Sequence, residues 1–203
     1  MKPALTIGTP CTRRQNLPAI SAALEPALDL FDLRWCVVLD TPRTEAPMPD
    51  APYPVKCILE DSRAPAKWTH RLGNRHLNQV IATVQPNGWF WVLDDDNIPL
   101  PGFFPRLAFV LASVPGARAV VFRQDILPGK CRRAAPGHIG PRLSDGTQVV
   151  ARGDVLGPVL DERASDGSWG LRIVEAAGDD VVWVDEPGLL GYNLLRPGKG
   201  LGW

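Results

Sequence analysis

An α/β fold with a mostly parallel central sheet is predicted by three observations. Short apolar runs rich in β-branched and aromatic residues alternate with segments of helical period. The first two runs are separated by one helix-length segment, the spacing of a βαβ crossover. The runs end abruptly on polar or acidic residues, most sharply at Trp89-Phe-Trp-Val-Leu-Asp94-Asp95-Asp96-Asn97.

Taken in order, Ala4–Gly8 reads as the first strand, ended by Thr9-Pro10. From about Asn16 to Leu30, residues Leu17, Ile20, Ala23, Leu24, Ala27 and Leu28 share a helical face. Asn16 is placed to N-cap this helix, and Pro26 to kink or shorten its last turn. Arg34–Asp40 reads as a second buried strand, and the proline-rich stretch 41–54 as a loop. Val55–Leu59 is a third strand. From about Thr69 to Val84 a helix is expected, with Leu72, Leu77, Val80, Ile81 and Val84 inward and Arg71, Asn74, Arg75 and Asn78 on its other face. Pro86-Asn87-Gly88 turns the chain into the strand Trp89–Leu93. Pro101 suits the first turn of a further helix that carries Phe104, Leu107, Ala108 and Leu111 inward. Ala117–Phe122 and Thr147–Arg152 read as strands flanking a long basic loop, Gln124–Ser144. A short helix is expected over Ser168–Ala177, then strands at Val181–Asp185 and Leu189–Asn193.

Composition sets the class of partner. The 203 residues are 45% hydrophobic, enough for a substantial core, which favours one domain over 1–203. The 22 basic and 22 acidic residues cancel, which argues against a nucleic-acid coat or a polybasic membrane anchor. Cys11, Cys36, Cys57 and Cys131 form no CxxC pair and no zinc-spaced cluster, so free thiols in a reducing cytoplasm are expected. The first residues carry too short an apolar run for a signal peptide. No stretch approaches the roughly 20 apolar residues of a membrane span, so a soluble, cytoplasmic protein is expected.

The triple aspartate focuses the chemistry. Adjacent carboxylates at a strand's carboxyl edge repel one another unless a cation or ordered donors lie between them. A divalent metal carrying an anionic ligand is the economical explanation, and a solvated acidic turn the plain one. Thr9, Asp40 and Asp94–Asp96 all fall at carboxyl ends of predicted parallel strands, where open α/β sheets bind ligands. With Arg13 and Arg14 close by, a nucleotide fits: Asp40 toward base or ribose, and the aspartates on a metal bridging the phosphates. GxxxxGK[ST], GxGxxG after the first strand and GxSxG are all absent, which removes the P-loop, dinucleotide and serine-hydrolase readings.

These segments, in this order, resemble the GT-A nucleotide-sugar glycosyltransferases of the family-2 type, and Asp94-Asp-Asp-Asn97 also resembles the family-43 motif. Thr6-Ile-Gly-Thr-Pro10 followed by Arg13 looks like the first nucleotide-binding loop, and Val37–Asp40 like the second strand with its base-binding carboxylate. Gly73-Asn-Arg-His-Leu-Asn78 is similar to the family's Gly-to-Arg-Asn segment, and Asp94–Asp96 to its DxD motif. Ser165-Asp166-Gly-Ser-Trp169-Gly-Leu171-Arg172-Ile173 resembles the segment carrying the catalytic base, with Ser165 in place of the usual Glu. Val184–Asn193 resembles the stretch that follows. The resemblance implies a GT-A-type, Rossmann-like three-layer sandwich with a nucleotide-binding half over about 1–100 and an acceptor half over about 101–203. It implies an inverting transfer of a sugar from a nucleoside-diphosphate donor, UDP-linked at the family level, to a glycan or other hydroxyl-bearing acceptor. By resemblance, Mn2+ or Mg2+ binds Asp96 and Asp94. Thr9, Pro10, Arg13, Asp40, Arg71, Asn78, Asp94 and Asp95 hold the donor. Asp166 is the general base, and Trp169 stacks on the acceptor. Two alternatives stay open: a non-catalytic GT-A-like binder of nucleotide sugar or glycan, and a sugar nucleotidyltransferase.

Overall fold

The computed structural model describes residues 1–41, 50–61, 77–126, 130–159 and 165–195. β1 (Ala4–Cys11) is followed by α1 (Leu17–Leu24), β2 (Asp32–Thr41) and β3 (Val55–Asp61), then by a helical stretch at 77–81 and β4 (Trp89–Val92). Next come β5 (Ile98–Pro99), α2 (Phe103–Ser113), β6 (Ala119–Phe122), the strands β7 (Gln124–Ile126) and β8 (Lys130–Arg132), and β9 (Val149–Arg152). The described chain closes with α3 (Ser165–Ala177), β10 (Val181–Val184) and β11 (Leu190–Gly191).

Seven strands form the central sheet in the order β10-β6-β9-β4-β1-β2-β3. All pairings are parallel except those of β9, which runs antiparallel between β4 and β6. β2 and β3 build outward on one side of β1, and β4 starts the other side. The strand order therefore reverses between β1 and β4, and such a reversal is where open α/β sheets place their ligands, at the carboxyl ends. Leu93 donates to the Gly8 carbonyl at 3.0 Å, carrying the β1–β4 pairing up to the edge of the aspartate triplet.

Period-2 alternation sends adjacent strand residues to opposite faces. Leu5, Ile7, Trp35, Val37 and Trp91 pack on α1 and α2, while Cys36, Phe90, Val92, Val121 and Val149 face α3 and the helical stretch at 77–81. The result is the expected three-layer sandwich, helices on both faces of a mostly parallel sheet. Trp91 stacks on Phe103 with centroids 4.6 Å apart, so α2 is seated on the strand that carries the aspartates.

Several local expectations change. α1 stops at Leu24, and a 3-10 turn at Glu25–Ala27 follows because Pro26 cannot donate to the helix ladder. Pro101 lies ahead of α2, with Gly102 at the N-cap position. The expected basic loop 124–144 contains the antiparallel strands β7 and β8 (Gln124↔Arg132). These join β5 and β11 in a second, four-stranded sheet, order β5-β11-β7-β8, that grows from the carboxyl ends of β4 and β6.

Candidate active site

At the switch point between β1 and β4, one carboxylate gathers four hydrogen bonds. Asp95 Oδ2 accepts from the Thr12 amide (2.6 Å), the Thr12 hydroxyl (3.2 Å) and the Arg13 amide (2.5 Å). Its Oδ1 accepts from the Arg13 guanidinium at 2.6 Å. At 3% exposure a charge this deep needs such a donor set, and charge-assisted bonds of this kind are the strong ones. The loop after β1 is thereby pinned to the turn after β4. The same guanidinium lies 3.3 Å from Asp96 Oδ2, so Arg13 bridges two of the three aspartates. The repulsion that suggested a metal is thus met in part from within the chain, for Asp95 by ordered donors and for Asp96 by Arg13.

The turn itself is braced from three sides. The Asn97 amide closes it onto the Asp94 carbonyl at 3.1 Å. Asn16, expected to cap α1, makes no capping bond. Its side-chain amide instead donates to the carbonyls of Asp95 (2.8 Å) and Leu195 (3.2 Å), while the Leu195 amide donates to the Asp96 carbonyl. Asn97 is fully buried, donates to Thr147 Oγ1 (2.9 Å) and Asp145 Oδ1 (3.4 Å), and accepts from the Asn193 amide (2.9 Å). Asn193 holds φ at +56°, a left-handed conformation that asparagine tolerates better than most residues. Asp145 also accepts from Arg132 (3.3 Å), whose guanidinium lies 4.0 Å over the Tyr192 ring. None of Asn16, Asn97, Asp145 and Asn193 was singled out from the sequence as a site residue; Asn16 was read only as a helix cap. Only Asn97, adjacent to the triplet, carried a local signal.

The other sequence-derived site residues fall into three groups. Pro10 is half-buried at the end of β1, and Asp94 is half-buried at the head of the turn. Three residues have side-chain polar atoms engaged within the chain. Thr9 is fully buried and its hydroxyl accepts from the Trp35 indole at 2.9 Å. Asn78 uses both ends of its amide on the Val159 backbone, at 3.0 and 2.7 Å. Trp169 is 1% exposed, stands edge-on to Phe90 and donates to the Gly157 carbonyl, so it offers no ring face to a sugar. Arg71 lies outside the described residues. Asp40 sits on the penultimate rung of β2, in register with Glu60, and Asp166 in the first turn of α3; the side chains of both are outside the description.

Asp94 and Asp96 supply the hard oxygen donors that Mg2+ and Mn2+ take, on one tight turn at the sheet's carboxyl edge. Among the described residues no three carboxylate, histidine or cysteine side chains converge on one point. A cation held there would have to take its remaining ligands from phosphate and water, which is the usual habit of Mg2+. Next to the site, burial and then the charge of Asp95 push the Cys11 thiol up to about 12, so it stays protonated.

Layer order, sheet direction and switch point are those of the GT-A-type, Rossmann-like α/β fold found in nucleotidyl- and glycosyltransferases. A 4-diphosphocytidyl-2C-methyl-D-erythritol synthase matches with a TM-score of 0.57 at 16% identity, over 97% of this chain and 95% of that one. Glucosyl-3-phosphoglycerate synthase from Mycobacterium tuberculosis, in complex with Mn2+, UDP and glucosyl-3-phosphoglycerate, matches with 0.52 at 16% identity, over 90% and 69%. A putative glucose-1-phosphate thymidylyltransferase from Bacillus anthracis, in complex with sucrose, matches with 0.53 at 9% identity, over 92% and 88%. At these identities the likeness is one of fold. No protein-family model and no curated protein matches the sequence.

Proposed function

We propose that the protein is a metal-dependent inverting glycosyltransferase of the family-2 type, moving a sugar from a nucleoside-diphosphate donor, UDP-linked in our reading, to an acceptor hydroxyl. The observation that carries this is the Arg13–Asp95 pin across the switch point, which sets the β1 loop beside a turn bearing Asp94 and Asp96. Asp94 and Asp96 are the residues that would hold the metal. Arg13, Pro10, Asp40 and Arg71 are assigned to the nucleotide. Asp95 keeps the loop and the turn together and is removed from the ligand shell. A bound divalent ion supplies neutralisation of the diphosphate as leaving-group charge develops. Asp166, in the first turn of α3, is assigned as the base that takes the proton of the acceptor hydroxyl.

Nucleotidyl transfer is the competing reading, since one of the similar structures bears that activity in its name. It calls for a first loop whose free amides cradle a triphosphate. Here the Thr12 and Arg13 amides are already engaged by Asp95, which favours the glycosyl reading. Product analysis separates the two: the glycosyl reading expects nucleoside diphosphate from a nucleotide sugar plus Mn2+. Pyrophosphate from a nucleoside triphosphate and a sugar phosphate would favour the other. Stabilisation by nucleotide sugar and Mn2+ together, without turnover on any acceptor or water, would leave the binder. An Asp166→Asn variant that transfers sugar at near wild-type rate would remove the base assignment.

A further inference from the structure

Arg13 stands where a metal's charge is wanted. Its guanidinium donates to Asp95 Oδ1 at 2.6 Å and approaches Asp96 Oδ2 at 3.3 Å, and both acids are almost wholly buried. Asp95 does not depend on that contact alone, because the Thr12 and Arg13 backbone amides hold its other oxygen. Asp96 sits in the same turn, one residue on, and shares the cation. Both contacts come from one nitrogen, Nη1, so a single positive group is shared between the two carboxylates. The Arg13 side chain is 29% exposed, unlike the two acids it contacts.

We propose that Arg13 is a resident counter-ion for Asp96 that competes with the divalent metal and is released toward the donor's diphosphate when nucleotide and metal arrive together. This rests on the metal-site reading above and adds an order to it. A fixed positive charge a few ångströms from a metal-binding carboxylate opposes a second cation, so the protein alone binds Mn2+ weakly. A diphosphate gives the guanidinium another anion and gives the metal further oxygen ligands. Metal and nucleotide then bind with positive coupling, each raising the affinity of the other by the same factor. Arg13 is on this account a positioning residue that keeps the site from loading metal without donor.

The test is a Mn2+ titration followed by electron paramagnetic resonance, with and without UDP, on wild type, Arg13→Gln and Arg13→Lys. Arg13→Gln should bind Mn2+ alone about tenfold more tightly than wild type, and UDP should enhance that affinity less than it does in wild type. Arg13→Lys, which retains the positive charge on a different head group, should lie between them and keeps the test available if the Gln variant does not fold. A purely structural arginine predicts the opposite sign, with weaker Mn2+ binding on its loss. Mn2+ affinity that is unchanged or weaker in Arg13→Gln, or that is raised equally in Arg13→Lys, overturns the counter-ion role while leaving the metal-site reading intact. If no variant binds Mn2+ even with UDP, the metal-site reading itself falls and takes this role with it.

Discussion

Asp94 and Asp95 are neighbours in sequence and should answer to mutation in opposite ways. Asp95→Ala leaves two backbone amides and a guanidinium facing an empty position, in a buried setting. It is expected to cost about 2–4 kcal/mol of stability in urea denaturation. Asp94→Asn is isosteric at a half-buried position. It should shift stability by less than about 1 kcal/mol while removing Mn2+-dependent nucleotide binding, as read by calorimetry. Cys11 offers a check on how closed the pin is. Its thiol, pushed up to about 12 by burial and by Asp95, should resist alkylation at pH 8 until the protein unfolds, while the part-exposed Cys131 reacts in the native state; mass spectrometry of the labelled cysteines reads both.

Among the elements, α3 leaves no room for a side chain in its first turn. A Cβ at Gly167 would fall 2.2 Å from the Gly140 carbonyl oxygen and 3.2 Å from the Pro141 Cα, both backbone atoms with no rotamer to give way. The turn carrying Asp166 is thus set directly against loop 140–144, which is itself tied by Ser144 Oγ to the Gly140 amide and carries Arg142 at φ +65°. Gly167→Ala is expected to cost about 1–3 kcal/mol and to lower transfer by displacing the turn. Thermal melting and initial rates on the same sample check both. The helix was legible over most of its length, from Ser168 to Ala177, because its apolar period is strong. Its true start at Ser165 was not, since Ser165-Asp166-Gly167 reads equally as a turn until loop 140–144 packs on it. β7 and β8 were hidden for a related reason. Three-residue strands carry too little alternation to be read against a background of arginines, although Pro128-Gly129 between them is a turn dipeptide.

At the scale of the whole molecule, acid stability draws on a cluster well away from the switch point. Arg152, at the end of β9, and Arg118, just before β6, both donate to Asp154. The Arg152 bond leads in holding the Asp154 carboxyl down to about 2, against an opposing burial effect and with help from Arg118. Because the folded value lies below the ordinary 3.8, the contribution is present above about pH 4 and is lost as pH falls toward 2. The cluster is part-exposed, so solvent screening limits its worth. Asp154→Asn is expected to cost about 1 kcal/mol at pH 7, with the difference from wild type closing as pH nears 2, in urea titrations at both values. No helix among the described residues is long and apolar enough to cross a membrane, in line with the apolar run lengths.

Sequence alone determined the layers. Hydrophobic period and run length are local properties, and they specified strand, helix, strand and the parallel sheet, with the aspartates at its carboxyl edge. It also placed Arg13 and Asp94–Asp96 among the candidates. Only the tertiary structure decided which of those charges are partners. The Thr12–Arg13 loop and Asp95 are more than 80 residues apart in the chain, and no local pattern encodes an ion pair formed across a strand-order reversal. The same holds for Thr9, Asn78 and Trp169, whose polar atoms are taken up by Trp35, Val159 and Gly157 once the sheet closes. A polar or aromatic residue beside a motif looks the same in sequence whether it faces a ligand or the core. Burial separates the two, and burial belongs to the folded chain.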